Sequence, residues 1–166
     1  MKTVKQLVET KLSSREVFDG ELLHVFHDKA MLPNGGTGTR EWIKHPGACA
    51  VVPIFENGDI MLIKQFRYPM SQVFWEVPAG KIDPGEPQDK TAFRELEEEA
   101  GLLADDFEYI GHYYPAIAYT DEIIHVYTAW NLETVHQKTD EDEFVIRVRV
   151  PFKEAVNLTA SLKGTL

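Results

Sequence analysis

Apolar residues along this chain come mostly in short runs broken by turn residues, the pattern of strands more than of long helices. Leu22, Val25 and Phe26 lie in one apolar-rich run, and residues 40–44 read as extended. Between them Pro33-Asn34-Gly35-Gly36 supplies a hairpin turn. His45-Pro46-Gly47 then breaks the chain, so residues 13–46 are expected to form a small β-rich unit. The expected division is 1–46, followed by 47–166. Residues 49–55 and 60–66 are apolar at nearly every position and are separated by Asn57-Gly58, which predicts two central strands of a sheet. Further strands are expected at 74–77, 109–113, 123–130 and 144–150, and a helix after Pro151. No repeat or low-complexity segment interrupts this order.

One segment changes period. Over residues 88–100, Phe93, Leu96 and Ala100 recur at the i, i+3, i+7 spacing of one helical face. Pro87 suits the first helical position and Gly101 the residue just past the end. The fold class is therefore α+β, a mixed sheet with one polar, highly acidic helix.

Composition narrows the classes. At 166 residues, 43% apolar and 27% charged, the chain has the make-up of one globular domain, not of a disordered, collagenous or disulfide-rich protein. No run approaches the roughly 18 apolar residues of a membrane span, and the first residues lack the apolar stretch of a signal peptide. Cys49 is the only cysteine, which excludes an intrachain disulfide and points to a reducing cytoplasm. The net charge of −10 repels nucleic acid and anionic membranes. A small anionic substrate remains compatible with it if local cations or a bound metal receive the charge.

The helix concentrates that acidity. Residues 94–99 read Arg-Glu-Leu-Glu-Glu-Glu, placing Glu95, Glu98 and Glu99 on one face, where like charges repel. Two readings are open: a solvated face, or a site for a hard divalent cation that takes oxygen ligands. The preceding segment is Pro78-Ala79-Gly80-Lys81-Ile82-Asp83-Pro84-Gly85-Glu86, a tight loop punctuated by Gly and Pro. Loop and helix together give Gly80, five residues, Glu86, seven residues, then Arg94-Glu95-Leu96-x-Glu98-Glu99-x-Gly101-Leu102. At average residue frequencies a chance match to these positions is on the order of one in a billion per start, so coincidence does not explain it.

This pattern resembles the Nudix box, and on it the chain is identified as a member of the Nudix hydrolases. The resemblance implies an α/β/α sandwich with a mixed sheet, here preceded by a small N-terminal antiparallel unit. It also implies cleavage of a diphosphate linked to a further moiety, with Mg²⁺ as cofactor and Mn²⁺ as a substitute. Glu95, Glu99 and the backbone carbonyl of Ala79 become the metal ligands, with Glu98 close by. Arg94 orients a box carboxylate, and Gly80 and Gly101 serve as backbone devices.

The resemblance extends over about residues 13–156. Gln65-Phe66-Arg67-Tyr68-Pro69 and Trp75-Glu76-Val77-Pro78-Ala79-Gly80-Lys81 are similar to the ADP-ribose pyrophosphatase and nucleoside-diphosphate-sugar hydrolase branch. That branch implies a homodimer with exchanged N-terminal strands, in which Arg40 and Glu41 reach the nucleoside end of the partner's substrate. Arg67 becomes a phosphate or ribose contact, against the alternative of a surface ion pair, and Lys81 joins the substrate-binding set. In Tyr114-Pro115-Ala116-Ile117-Ala118-Tyr119-Thr120-Asp121-Glu122, Ile117 replaces the proline often used to flag ADP-ribose specificity. Glu122 is matched to a contact with terminal ribose hydroxyls. In the acidic stretch 139–144, Glu141 resembles the general base and Glu143 an extra metal ligand. A solvated acidic turn is the alternative, and Glu98 and Glu122 are the other candidate bases. After residues 151–155 the usual continuation into a further strand is missing.

The activity implied is hydrolysis of the diphosphate bond of ADP-ribose or a related nucleoside diphosphate sugar, with AMP and ribose 5-phosphate the products from ADP-ribose. A GDP-mannose-type or broad nucleoside-diphosphate-sugar pyrophosphatase is the alternative within the class, and a non-catalytic ADP-ribose sensor is the alternative outside it. RNA 5′-end processing is disfavoured because no basic patch appears. Three other features carry competing readings. His24 and His27 are read as structural, Gly35-Gly36-Thr37-Gly38 as a hairpin turn and not a phosphate loop, and Trp42 as either a nucleobase platform or packing.

Overall fold

The computed structural model describes residues 4–139 and 143–160. By its internal contacts the chain divides into one unit of Met1–His45 with Tyr114–Ile123, and a second of Pro46–Tyr113 with Ile124–Leu166.

The first unit is built on an antiparallel sheet in the order β1 (Thr10–Asp19), β2 (His24–Met31), β3 (Thr37–Lys44). The turn expected at residues 33–36 joins β2 to β3. Leu32 N–H donates to the Gly36 carbonyl at 2.8 Å, and Gly35 takes a φ of 83°, which glycine adopts without a Cβ penalty. The glycine run is thus a hairpin turn. β1 was not legible beforehand: it is exposed along its whole length and alternates no apolar face, so pairing with β2 holds it. Segment 114–123 joins this unit through Ile43 N–H donating to the Tyr119 carbonyl (2.8 Å) and His45 N–H to Asp121 Oδ1 (2.8 Å). Trp42 stacks on Phe26 (centroids 5.0 Å apart) and donates from Nε1 to the buried Asp28 carboxylate at 3.0 Å. Of its two readings, the packing one describes what it does here.

Among its described residues the second unit holds two sheets and two α-helices. β7 (Ala79–Lys81), β4 (Ala48–Pro53), β9 (Ile124–Thr134) and β8 (Leu102–Tyr113) form a mixed sheet in that order, with β4 and β9 parallel. β10 (Val145–Pro151), β5 (Asp59–Arg67) and β6 (Gln72–Glu76) form an antiparallel sheet in that order. Helix α1 (Gln88–Ala100) packs on the first sheet and α2 (Phe152–Ala160) on the second.

The two apolar runs flanking Asn57-Gly58 are central strands, as expected, but of different sheets. Ile54, just past the end of β4, makes an isolated bridge with Ile60 of β5 at the turn. The apolar pattern reports only that both faces of each strand are covered, which is true of a strand in either sheet. The cores show the coverage. Cys49, Val51, Leu96, Ala100 and Tyr127 of α1 and its sheet pack in one cluster with Met61 of β5. Ile60, Leu62, Val150 and Ala155 pack with Trp75 and Leu158 under α2. The short strand β7 falls within the expected loop, where Ala79 and Gly80 pair with Ala50 and Cys49. That pairing anchors the loop in front of α1.

Candidate active site in the acidic helix

Helix α1 begins after Pro87, whose φ of −65° and ψ of 141° make it the cap and not the first helical residue. Gly101 ends the helix in the left-handed region at φ 60°, with its N–H on the Glu97 carbonyl. Leu96 and Ala100 are fully buried, whereas Phe93 is 38% exposed and packs its ring 4.0 Å from that of Phe107. The acidic residues do not form a solvated face. Glu95 is 7% and Glu99 1% exposed, turned toward β7 beside the apolar stripe. Glu98 stays half-buried.

Each buried carboxylate has a specific neighbour. Glu99 Oε2 accepts from the backbone N–H of Ala79 at 2.7 Å. Glu95 Oε1 accepts from Arg94 Nη1 at 2.7 Å, and the same nitrogen holds Glu98 Oε2 at 2.9 Å. The rest of the Arg94 fork grips Glu86, with Nε on Oε1 at 3.2 Å and Nη2 on Oε2 at 3.1 Å, and donates to the Lys81 carbonyl at 3.1 Å. Thr91 Oγ1 donates to Glu86 Oε2 at 2.7 Å. Arg94 therefore ties loop, helix start and two box carboxylates together, and these bonds hold its guanidinium firmly charged.

Gly80 has a steric reason. A Cβ there would overlap Glu95 Oε1 and Cδ and lie 2.5 Å from Oε2. The carboxylate thus lies directly against the backbone that follows Ala79.

Burial pushes the Glu95 carboxyl up to about 7, opposed by Arg94 and reinforced by Glu98 and Glu143. Burial likewise raises Glu99 well above the usual carboxylate range against the pull of the Ala79 N–H, and Glu143 and Glu95 add repulsion. Glu143 lies against Glu99 and accepts from Gln65 Nε2 at 3.3 Å, while Gln65 Oε1 is buried with no hydrogen-bond partner. Buried oxygens of one sign, with Arg94 already committed to its partners, are a donor set that a hard divalent cation would neutralise. The residues fit a hard divalent cation. Among the described residues the one group of three His, Cys, Asp or Glu side chains whose ligand atoms all lie within 4.8 Å of one another is Glu16, Asp19 and His24. It lies in the other unit and is solvent-facing, and its side chains pair with each other, so His24 has partners without any metal.

The remaining expected residues are placed as follows. Arg67 makes a two-point ion pair with Glu76, Nε to Oε1 at 2.9 Å and Nη2 to Oε2 at 2.5 Å, and feels the charges of Glu99 and Glu143. The Lys81 side chain is exposed. Arg40, Glu41 and Glu122 belong to the other unit. There Arg40 Nε donates to Glu9 Oε2 at 2.9 Å, Glu41 is exposed, and Glu122 Oε1 lies 3.8 Å from His45 Nε2. Ile117 is 81% exposed. Glu141 lies outside the described residues. Sequence reasoning missed Gln65, Glu76, Gln137 and Arg147. Of these Gln65 and Glu76 carried a signal: both stand in the segments quoted for the resemblance, and Gln65 shares a strand face with Arg67, two residues on.

Comparison with known proteins bears on the family and the fold. The NUDIX domain description matches residues 44–164. An ADP-ribose pyrophosphatase of Bacillus subtilis (strain 168) is 39% identical over 160 residues, 95% of this chain and 86% of that protein. A methanol dehydrogenase activator of Bacillus methanolicus is 36% identical over 154 residues, 92% of this chain and 83% of that protein. A crystal structure of an ADP compounds hydrolase superposes with a TM-score of 0.79 at 24% identity, covering 93% of this chain and 84% of that one. A domain match over most of the chain, a relative well above 30% identity along nearly its full length, and a box whose two central glutamates are buried against β7 lead to one conclusion: the chain belongs to the NUDIX family.

Proposed function

We propose that this protein is a Mg²⁺-dependent pyrophosphatase that hydrolyses the diphosphate bond of ADP-ribose or a related nucleoside diphosphate sugar, releasing AMP and ribose 5-phosphate from ADP-ribose, with Mn²⁺ able to substitute. The observation that carries the proposal is the burial of Glu95 and Glu99 against the Ala79-Gly80 backbone, in a chain 39% identical to an ADP-ribose pyrophosphatase. Glu95, Glu99, the Ala79 carbonyl and Glu143 would hold the metal. When bound, it supplies the positive charge that a diphosphate and an attacking water need.

The chain's own residues do the rest. Arg94 keeps Glu95 and Glu98 from swinging apart by holding both on one nitrogen. Glu76 engages Nε and Nη2 of Arg67, which leaves Nη1 to donate to a phosphate oxygen. The ion pair foreseen as the alternative for Arg67 is thus compatible with binding. Lys81, exposed at the end of β7, adds a mobile cation for the same anion. Glu141 is assigned as general base, with Glu98 and Glu122 as the other carboxylates to test. By family resemblance Arg40, Glu41 and Glu122 contact the nucleoside and ribose, Arg40 and Glu41 from the partner of a homodimer. Apolar side chains exposed on β1, among them Leu12, Val17 and Phe18, accord with residues 1–46 serving as a dimerisation unit with exchanged strands. No helix of the described residues is long and apolar enough to cross a membrane. A lone buried thiol, Cys49, accords with a cytoplasmic setting.

The test is product release from ADP-ribose, GDP-mannose, UDP-glucose, NADH, diadenosine polyphosphates and deoxynucleoside triphosphates, with Mg²⁺ and with EDTA. Dominant, EDTA-sensitive ADP-ribose cleavage is expected, with Ile117 tolerated in place of proline. Equal rates across several sugars would make it a broad sugar-nucleotide pyrophosphatase. Tight ADP-ribose binding without turnover would overturn the catalytic reading in favour of a sensor.

A further inference from the structure

The last four carbonyls of a helix have no partner within it. In α1 the carbonyls that end the helix are met from two stretches of chain flanking the acidic segment. On one side Lys138 N–H donates to the Glu98 carbonyl at 3.2 Å, Gln137 Nε2 to the Glu99 carbonyl at 2.6 Å, and Val135 N–H to the Gly101 carbonyl at 2.8 Å. On the other, Arg147 of β10 donates from Nη1 to the Ala100 carbonyl at 3.0 Å. Arg147 also places a cation at the negative end of the helix.

The glycine at 101 serves this arrangement as well as the turn. A Cβ there would overlap Arg147 Nη1 and lie 2.9 Å from the Val135 carbonyl. Between the two flanks Glu143 emerges against Glu99 and Gln65. The backbone that carries Glu99 and the backbone that carries Glu143 are therefore joined at the last turn of α1 by side-chain bonds from Gln137 and Arg147.

We propose that Gln137 and Arg147 are positioning residues, which fix Glu143 against Glu99 by tying the flanks of the acidic segment to the end of α1. The inference rests on the reading of Glu99 and Glu143 as metal ligands. Partners that orient metal ligands cost 10- to 100-fold in affinity or activity when removed. A plain helix cap would cost stability alone.

The experiment compares Gln137→Ala, Arg147→Met and Arg147→Lys with the unsubstituted protein. Mn²⁺ alone is titrated by electron paramagnetic resonance, kcat and KM for ADP-ribose are measured, and the melting temperature is taken without metal. The expected result is a Mn²⁺ dissociation constant raised about tenfold or more in Gln137→Ala and Arg147→Met. The expected fall in kcat is similar, with KM within about twofold, and Arg147→Lys should lie between. A lower melting temperature with Mn²⁺ affinity unchanged in Gln137→Ala, the milder change, would overturn it. If the unsubstituted protein binds Mn²⁺ but leaves ADP-ribose intact, the proposed activity fails, and the Mn²⁺ titrations still decide the positioning role.

Discussion

Substitution of Gly80 by alanine isolates how closely the Glu95 carboxylate must approach the backbone. The φ of Gly80 is not positive, so alanine brings no backbone strain there and the whole effect comes from one methyl group. That methyl would overlap Glu95 Oε1 and Cδ and stand 2.5 Å from Oε2, whereas ordinary contact begins at 3.4 Å. The retreat needed is 3.4 − 2.5, about 0.9 Å at Oε2, and more at the two overlapping atoms. A misplacement of about 1 Å in a catalytic arrangement costs on the order of 100-fold, or about 2.7 kcal/mol in the barrier. Glu95 would also leave Arg94 Nη1, now 2.7 Å away. The assay is the Mg²⁺ dependence of ADP-ribose turnover, paired with Mn²⁺ binding and the melting temperature of the metal-free protein. We expect kcat down about 100-fold, weakened metal binding and a protein that still melts cooperatively. Wild-type turnover and Mn²⁺ affinity in the alanine variant would refute the assignment of Glu95 as a ligand held against the Ala79-Gly80 backbone.

Three further outcomes are expected. Glu99→Gln keeps an oxygen for the Ala79 N–H but removes a carboxyl whose charged form burial, Glu143 and Glu95 disfavour. Turnover should fall at least about 100-fold, while the metal-free melting temperature, read by scanning fluorimetry, holds or rises. Leu96, fully buried between α1 and its sheet, should cost about 3 kcal/mol when cut to alanine. That lowers the melting temperature by roughly 6–12 °C, and a drop under about 2 °C would contradict the packing described. Cys49 is fully buried, its Sγ lies 3.1 Å from the Gln88 carbonyl, and burial with the charges of Glu86 and Glu95 pushes its thiol up to about 11. The native protein should therefore resist thiol-disulfide reagents at pH 8 and react once denaturant is added, as followed by colour release.

Much of the site was legible before the structure because its information is local. The span of α1, Gln88–Ala100, follows from Pro87, Gly101 and a helical period, all within one stretch of chain. The role of Arg94 on Glu98 follows from i, i+4 spacing alone. The hairpin at residues 33–36 follows from turn chemistry. These are short-range effects, set by steric and hydrogen-bonding preferences that the rest of the fold does not change.

What the tertiary structure decided depends on contacts between residues far apart in the chain. That Glu95 and Glu99 are buried while Glu98 stays half-open depends on β7 pairing with β4 and closing over one side of the helix. A helical wheel cannot supply that. That β4 and β5 part into separate sheets depends on two helices competing for two apolar faces, while the sequence pattern records only that both faces are covered. Gln65, Glu76, Gln137 and Arg147 matter through partners 9 to 78 positions away. No local preference marks a residue for a partner that only folding brings near.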